Sequence, residues 1–372
     1  MVTPRYLPHI GGVERYVHEL STRLARDGLE ITVLTTDPTG ELPGYEEADG
    51  IEILRLPAWP RKHDYYFAPG VYRQISAGTW DVVHVQSYHT FVAPLAMLAA
   101  RRARLPYVLT FHAGGHSSWF RRAVRRPQWA LLRPLLADAA CLVAIAQFEI
   151  DVYSKRLRLP REHFVLIPLG TDFGRLAGLR SVAAPSKPII ASLGRLERYK
   201  GHHRLIEALP EILQRRPDAT VWIAGSGPYD EKLKRLAKKL GVAQQVNIHA
   251  VPSADRKAMA CELSKVALVV LLSEYETQPA AALEAVALGR PVLVLDTTGL
   301  RNLADLGLAH AIPRNSTSGE IAASVLEQLE DPFVPARVEL PSWDDCAAKH
   351  IELYQNVHGR PALFASNRTA ES

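Results

Sequence analysis

Glu276 and Glu284 are separated by seven residues in the run Ser273-Glu-Tyr-Glu-Thr-Gln-Pro-Ala-Ala-Ala-Leu-Glu-Ala-Val-Ala-Leu-Gly-Arg-Pro291. On a helix that spacing puts them up to roughly 12 Å apart along the axis. Carboxylates accept hydrogen bonds from hydroxyls, while the unpaired N–H groups and positive dipole end of a helix attract anions. Glu276 falls where a loop enters a helix, so the pair suits a ligand with hydroxyls at both ends and phosphate between them. A nucleotide sugar is a molecule of that kind.

Local signals place the pair. Residues 266–272 are apolar and rich in β-branched side chains, as a buried strand would be. Thr277 is then the expected N-cap, and Pro279 falls in the first turn, where its missing N–H costs no hydrogen bond. Gly289 and Pro291 stop the helix, and residues 291–296 resume as a strand.

Other chemistry-bearing residues also sit near expected strand ends. Gly11-Gly12-Val13-Glu14 opens a helix whose apolar positions, Val13, Tyr16, Val17, Leu20 and Leu24, recur at helical spacing. The double glycine either lets backbone approach a phosphate closely or simply turns the chain into a helix. His112 closes a strand expected over 107–112 and precedes Ala113-Gly-Gly-His116. Ligands of open α/β sheets bind beyond the carboxyl ends of strands, so His112 is either a ligand contact or an ordinary polar residue. Gly225-Ser-Gly-Pro228 leads from a strand at 220–224 to a charged helix at 229–240, a turn for which steric need alone explains glycine. Residues 117–136 interleave Trp119, Phe120 and Trp129 with Arg121, Arg122, Arg125 and Arg126. This segment suits an anionic membrane or anionic acceptor, or else surface helices with solvated arginines and inward aromatic stems. Pro127 and Pro134 argue against one long helix.

The elements that must carry these residues form two α/β alternations. Strand-like runs at 30–37, 51–56, 81–86, 107–112, 141–145 and 164–168 alternate with helical patterns, as in a mostly parallel, doubly wound sheet. Residues 1–3 read as the close of a strand that lacks its beginning. A second series runs through 188–193, 220–224, 246–249, 266–272, 291–295 and 309–312. The loop-like composition of 170–187 makes it the linker. The expected domains are 1–170 and 171–341. A last helix over 342–357, capped by Ser342, packs across the junction and joins the first domain, and 358–372 forms a frayed tail.

At 372 residues the chain suits two domains. With 47% hydrophobic and 22% charged residues, its composition is that of a globular protein. No apolar run approaches the roughly 18 residues of a membrane span, and no secretory leader is expected. Cys141, Cys261 and Cys346 match no metal spacing and are expected to be buried or half-buried thiols in a reducing cytoplasm. A net charge of +5 permits an anionic ligand or membrane surface; nucleic acid would require a stronger basic or aromatic signature.

In their order and intervals these motifs resemble the retaining nucleotide-sugar glycosyltransferases of the GT-B fold, in particular glycosyltransferase family 4, over nearly the whole chain. The resemblance rests on Gly11-Gly12-Val13-Glu14, His112, Gly194-Arg195-Leu196 with Lys200-Gly201, Ala224 to Pro228, and the Glu276/Glu284 pair. It implies two Rossmann-like doubly wound α/β domains facing each other across a cleft, the first on the acceptor side and the second holding the nucleotide sugar. It implies that Glu276 holds donor-sugar hydroxyls, Glu284 the ribose hydroxyls, and His112 the sugar near the reacting centre. Arg195 and Lys200 would neutralise the departing diphosphate, where negative charge grows in the transition state. The helix start at Thr277, Gln278, Pro279 and Ala280 would add backbone donors, and Gly11 and Gly12 would line the substrate. The implied donor is a UDP- or GDP-sugar, itself a substrate, so no cofactor and no metal is expected. Retention would follow from the departing phosphate oxygen assisting the acceptor on the same face. The acceptor is a glycan, a lipid-linked sugar or a small molecule, met in the cytoplasm or at the inner face of an anionic membrane.

The chain departs from the family pattern in three places. Thr277-Gln278 stands where members usually carry Gly-Phe, Leu169 where an Asn is common, and Arg301-Asn302 in place of a Pro-x-Glu-like element. Tyr275 and Gln278 are therefore candidates for tuning specificity. Thr277-Gln278 and Asn302 also motivate a competing reading, a catalytically idle nucleotide-sugar-binding subunit, and a sugar-nucleotide epimerase on the same fold is a third.

Overall fold

Short, fully buried parallel strands organise both halves of the chain. The computed structural model describes all residues except 10, 61–65, 113–118, 172–186, 253–254, 278, 336–337, 339 and 359–372, and the side chains of 119–126 and 256. The expected linker, Gln278, the basic part of 117–136 and the tail thus lie wholly or largely outside the described residues. Contacts divide the chain into two compact units. One comprises Met1–Ala113, Phe120–Gly170 and Pro341–Ser372, and the other Thr171–Leu340.

The first unit contains β1 (Thr32–Asp37), β2 (Tyr45–Ala48), β3 (Ile51–Pro57), β4 (Val83–Gln86), β5 (Tyr107–Thr110), β6 (Cys141–Ala144) and β7 (Phe164–Leu166). Its helices are α1 (Gly12–Arg26), α2 (Pro69–Ala77), α3 (Val92–Ala103), α4 (Trp119–Ala137), α5 (Gln147–Leu157) and α12 (Trp343–Val357). β4 to β7 pair in parallel in sequence order, and β1 pairs in parallel with β3. Val2 joins the two groups, bridging Leu34 on one side and Val85 on the other. The expected first strand is therefore a single bridging residue. β2, antiparallel to β3, is an addition; its half-exposed Tyr-Glu-Glu-Ala sequence carries no buried-strand signal.

α1 buries Tyr16, Val17, Leu20 and Leu24, the stripe its spacing predicts. α12 packs against α1, and its Ser342 cap forms a full capping box with Asp345. α4 corrects an expectation, because it runs as one helix of 19 residues through both Pro127 and Pro134. Trp129, Leu132 and Leu136 are buried at intervals of three and four. That apolar seam holds the helix to the core despite the backbone donor each proline removes. All three cysteines are free; Cys141 and Cys346 are buried, but Cys261 is exposed rather than half-buried.

The second unit holds β8 (Ile189–Leu193), β9 (Thr220–Ala224), β10 (Val246–Ile248), β11 (Leu268–Leu271), β12 (Val292–Leu295) and β13 (His310–Ile312). Around them lie α6 (His202–Arg215), α7 (Asp230–Lys239), α8 (Arg256–Ser264), α9 (Ala280–Ala287), α10 (Thr298–Asp305) and α11 (Ser318–Glu330). The sheet is parallel throughout, in the order β10-β9-β8-β11-β12-β13. Successive residues such as Ile190 and Ala191, or Val270 and Val269, belong to cores on opposite faces. Both faces are covered, so the strands read as unbroken apolar runs. The chain moves outward from β8 to β10 and then returns to β11, which places the topological switch point between β8 and β11.

Two local expectations are also corrected here. The N-cap of α9 is Pro279, with no side-chain cap, so Thr277 lies outside the helix. The strand expected over 246–249 stops at Ile248, and His249 stacks on Trp222 with ring centroids 5.3 Å apart.

Candidate active site

In the second unit, the loops that leave β8 and β11 meet at the switch point. Gly194, at φ 137°, leads into Arg195 and a 3₁₀ turn, Arg198–Lys200, after which Gly201, at φ 74°, opens α6. A Cβ on Gly201 would stand 2.0 Å from the carbonyl oxygen of Leu272, so only glycine lets this loop lie against the end of β11. The Gly-x-Gly-Pro turn obeys the same constraint. A Cβ on Gly225 would fall 1.9 Å from Gly194 O, and one on Gly227 2.6 Å from Leu196 O. These glycines serve the chain's own packing.

Lys200 Nζ donates to Glu276 Oε1 at 2.6 Å, and Ser273 Oγ donates to the same oxygen at 2.8 Å. The Lys200 and Glu276 side chains are each 14% exposed. The cation expected at the diphosphate and the acid expected at the sugar are thus paired with each other. The backbone around Glu276 is fixed from the start of α10. Glu276 N donates to Thr298 Oγ1 at 2.9 Å, Gly299 N to Glu276 O at 3.0 Å, and Thr297 Oγ1 to Ser273 O at 2.9 Å. Glu274 N donates to Tyr199 O at 2.8 Å, tying this loop to the one from β8.

Arg195 is exposed. It bonds Tyr199 Oη at 3.3 Å and pairs with Glu197 at 3.2 Å. Thr277 and Glu284 are half-buried, Pro279 is buried and Ala280 is exposed at the start of α9. Arg301, one of the departures, is bound to Asp296. Sequence reasoning missed His202. Its Nδ1 meets Ser192 Oγ at 2.8 Å and its Nε2 meets the carbonyl of Arg195 at 3.2 Å, pinning the backbone that carries Arg195. Burial pushes its imidazole down to about 4. The available signal was a histidine immediately after Lys-Gly at a helix start.

In the first unit, Gly11 is the N-cap of α1 without a side-chain cap. A Cβ on Gly11 would lie 2.3 Å from a Glu14 carboxylate oxygen, whereas one on Gly12 would meet nothing within 4 Å. Gly12 is therefore not required by its own surroundings. His112 follows the end of β5, and its Nε2 lies 2.9 Å from Gln86 Oε1. The edge of its ring meets Tyr16, with centroids 4.7 Å apart. Desolvation above all, then the neighbouring His89 and His350, lower its imidazole to about 3. Behind it runs a polar network absent from the sequence reading. Tyr16 Oη donates to His350 Nε2 at 3.0 Å, His350 Nδ1 donates to Cys346 O at 2.8 Å, and His84 stacks on His350 at 5.5 Å.

Two doubly wound units with polar clusters beyond their strand ends are the architecture of GT-B glycosyltransferases, and known structures share it. Sucrose-phosphate synthase from Thermosynechococcus elongatus superposes with a TM-score of 0.73 over 93% of each chain, at 21% identity. Anabaena Alr3699/HepE, solved in complex with UDP and glucose, does so at 0.72 and 16% identity, covering 95% of this chain and 98% of that one. In sequence, residues 10–175 match Glycosyltransferase Family 4 and residues 180–341 match Glycosyl transferases group 1. A glycogen synthase of Mycobacterium tuberculosis is 29% identical over 368 residues, 91% of this chain and 87% of its own. The chain belongs to glycosyltransferase family 4.

Proposed function

We propose that this glycosyltransferase takes a UDP- or GDP-sugar and transfers the sugar with retention of configuration, without a metal, to a glycan, lipid-linked or small-molecule acceptor. The observation that carries the reading is the Lys200–Glu276–Ser273 cluster at the switch point of the second sheet, with the exposed guanidinium of Arg195 on the same loop. On donor binding Lys200 exchanges Glu276 for the diphosphate, and Glu276 turns to the sugar hydroxyls. Arg195 and Lys200 then stabilise the charge that develops as the nucleoside diphosphate leaves. Glu284 takes the ribose hydroxyls, and Thr277, Gln278, Pro279 and Ala280 offer backbone groups. Gly11 and Gly12 leave room for close backbone approach, and His112 contacts the sugar. The UDP and glucose named with Alr3699/HepE support a nucleotide sugar as donor.

A thermal-shift panel of UDP-, GDP- and ADP-sugars tests donor choice, because only a ligand that binds the folded state raises its stability. Product NMR reports anomeric configuration, and turnover in chelator tests metal independence. Full transfer activity in both Arg195→Ala and Glu276→Ala would overturn the assignment. Membrane contact is proposed for the basic aromatic stretch around Trp119 to Trp129. No helix among the described residues is long and apolar enough to cross a membrane, so such contact would be peripheral. Failure to co-sediment with anionic vesicles at low salt removes it.

A further inference from the structure

His112 is useful to a sugar hydroxyl only if a defined nitrogen faces it in a defined protonation state. Gln86 is the last residue of β4 and is 1% exposed. Its Oε1 lies 2.9 Å from His112 Nε2, while its amide nitrogen faces Met1 Sδ at 3.6 Å. An amide oxygen can only accept and a thioether sulfur is a weak acceptor, so both contacts assign the same amide orientation. His112 Nε2 then carries the proton, and Nδ1 keeps its lone pair. The edge contact with Tyr16 limits rotation of the ring from the other side.

The titratable groups described around the imidazole are Tyr16 from α1, His84 from β4, His89 from the segment after β4, and His350 and Tyr354 from α12. None is a carboxylate. Nothing among them favours an imidazolium, and Gln86 is the neutral acceptor that selects one tautomer.

We propose that Gln86 is a positioning residue that fixes His112 in its Nε2-protonated tautomer, so that Nδ1 accepts a hydrogen bond from the sugar being transferred. The proposal rests on the donor-sugar reading of His112 given above.

Gln86→Leu removes the acceptor, and Gln86→Glu replaces it with one that also attracts a proton. The glutamate variant should raise the imidazole pKa and create an acidic limb in kcat that wild type lacks between pH 9 and 6. Its rate should fall about tenfold over that range as Nδ1 becomes protonated, and recover at high pH. The leucine variant should lose about five- to tenfold in kcat at every pH, more than it changes KM. Nitrogen NMR of histidine-labelled wild type needs no variant to fold and should show His112 protonated on Nε2. A His112 protonated on Nδ1, or a glutamate variant with the wild-type pH profile, overturns the proposal. If His112→Ala is inactive in the same experiment, the sugar-contact reading survives that failure. If His112→Ala keeps full activity, that reading and the proposal fall together.

Discussion

Lys200 and Glu276 satisfy each other at 2.6 Å, with Ser273 on the same carboxylate oxygen. A donor must therefore compete with a bond the enzyme already makes. This gives the two residues distinguishable signatures. In Glu276→Ala, Lys200 loses its internal competitor, so a free nucleoside diphosphate should bind as tightly as to wild type or more tightly. Transfer should meanwhile fall by about 100-fold, the scale at which a transition-state contact is lost. Calorimetry with UDP and GDP beside a turnover assay measures both; a parallel loss of nucleotide affinity would show that Glu276 only supports the fold. The glycines separate in the same way. Gly225→Ala forces a Cβ to within 1.9 Å of backbone and should destabilise the second unit. Gly12→Ala meets nothing within 4 Å and should leave stability within about 0.5 kcal/mol of wild type. A fall in turnover in Gly12→Ala with its melting temperature unchanged would mark close approach of a ligand there, and wild-type turnover would remove Gly12 from the site.

The elements differ in how plainly their sequences declare them. α12 was legible because Ser342 and Asp345 stand at capping-box spacing before an amphipathic run, and both reciprocal bonds form. Ser342→Ala should cost about 1 kcal/mol, read as a lower urea midpoint, since the Asp345 N–H loses its acceptor. The strands at the switch point were legible because burial on both faces leaves an uninterrupted apolar run. α4 was misread because a proline rule is local, whereas the seam of Trp129, Leu132 and Leu136 is set by tertiary packing. Thr277 was misread for a related reason. The loop carrying it is held by Thr298 and Gly299, 21 and 22 residues further on, and the helix begins only after Pro279. The pairing of Lys200 with Glu276 and the contact of His112 with Gln86 were beyond reach, since each joins residues from separate strand ends. Their types and positions could be read, but their partners could not.

Buried histidines give the chain an uneven response to acid. The first unit holds His84, lowered well below its ordinary range by burial, with His112 lowered to about 3 and His350 to about 4. The second unit holds His202, lowered to about 4, and the half-buried His203, which burial also lowers. A neutral buried imidazole contributes its full stability above the unfolded pKa of about 6.5. Below that value the unfolded chain binds a proton that the folded chain refuses, and stability is lost as pH falls toward the folded value. Each such histidine costs about 1.4 kcal/mol per pH unit in that window. With three strongly lowered histidines against one and the half-buried His203, the first unit should lose stability faster between pH 6 and 4.5, and its melting transition should move below that of the second. His84 and His350 stack on each other, so protonating one raises the cost of protonating the other. Calorimetry from pH 8 to 4.5 should show the low-pH shift, and His350→Gln, which removes one titrating group, should make its slope shallower. A melting profile flat from pH 7 to 5 would mean that the network admits protons without unfolding. Transfer activity lost in that range should return on neutralisation, because only the scaffold behind His112 has changed state.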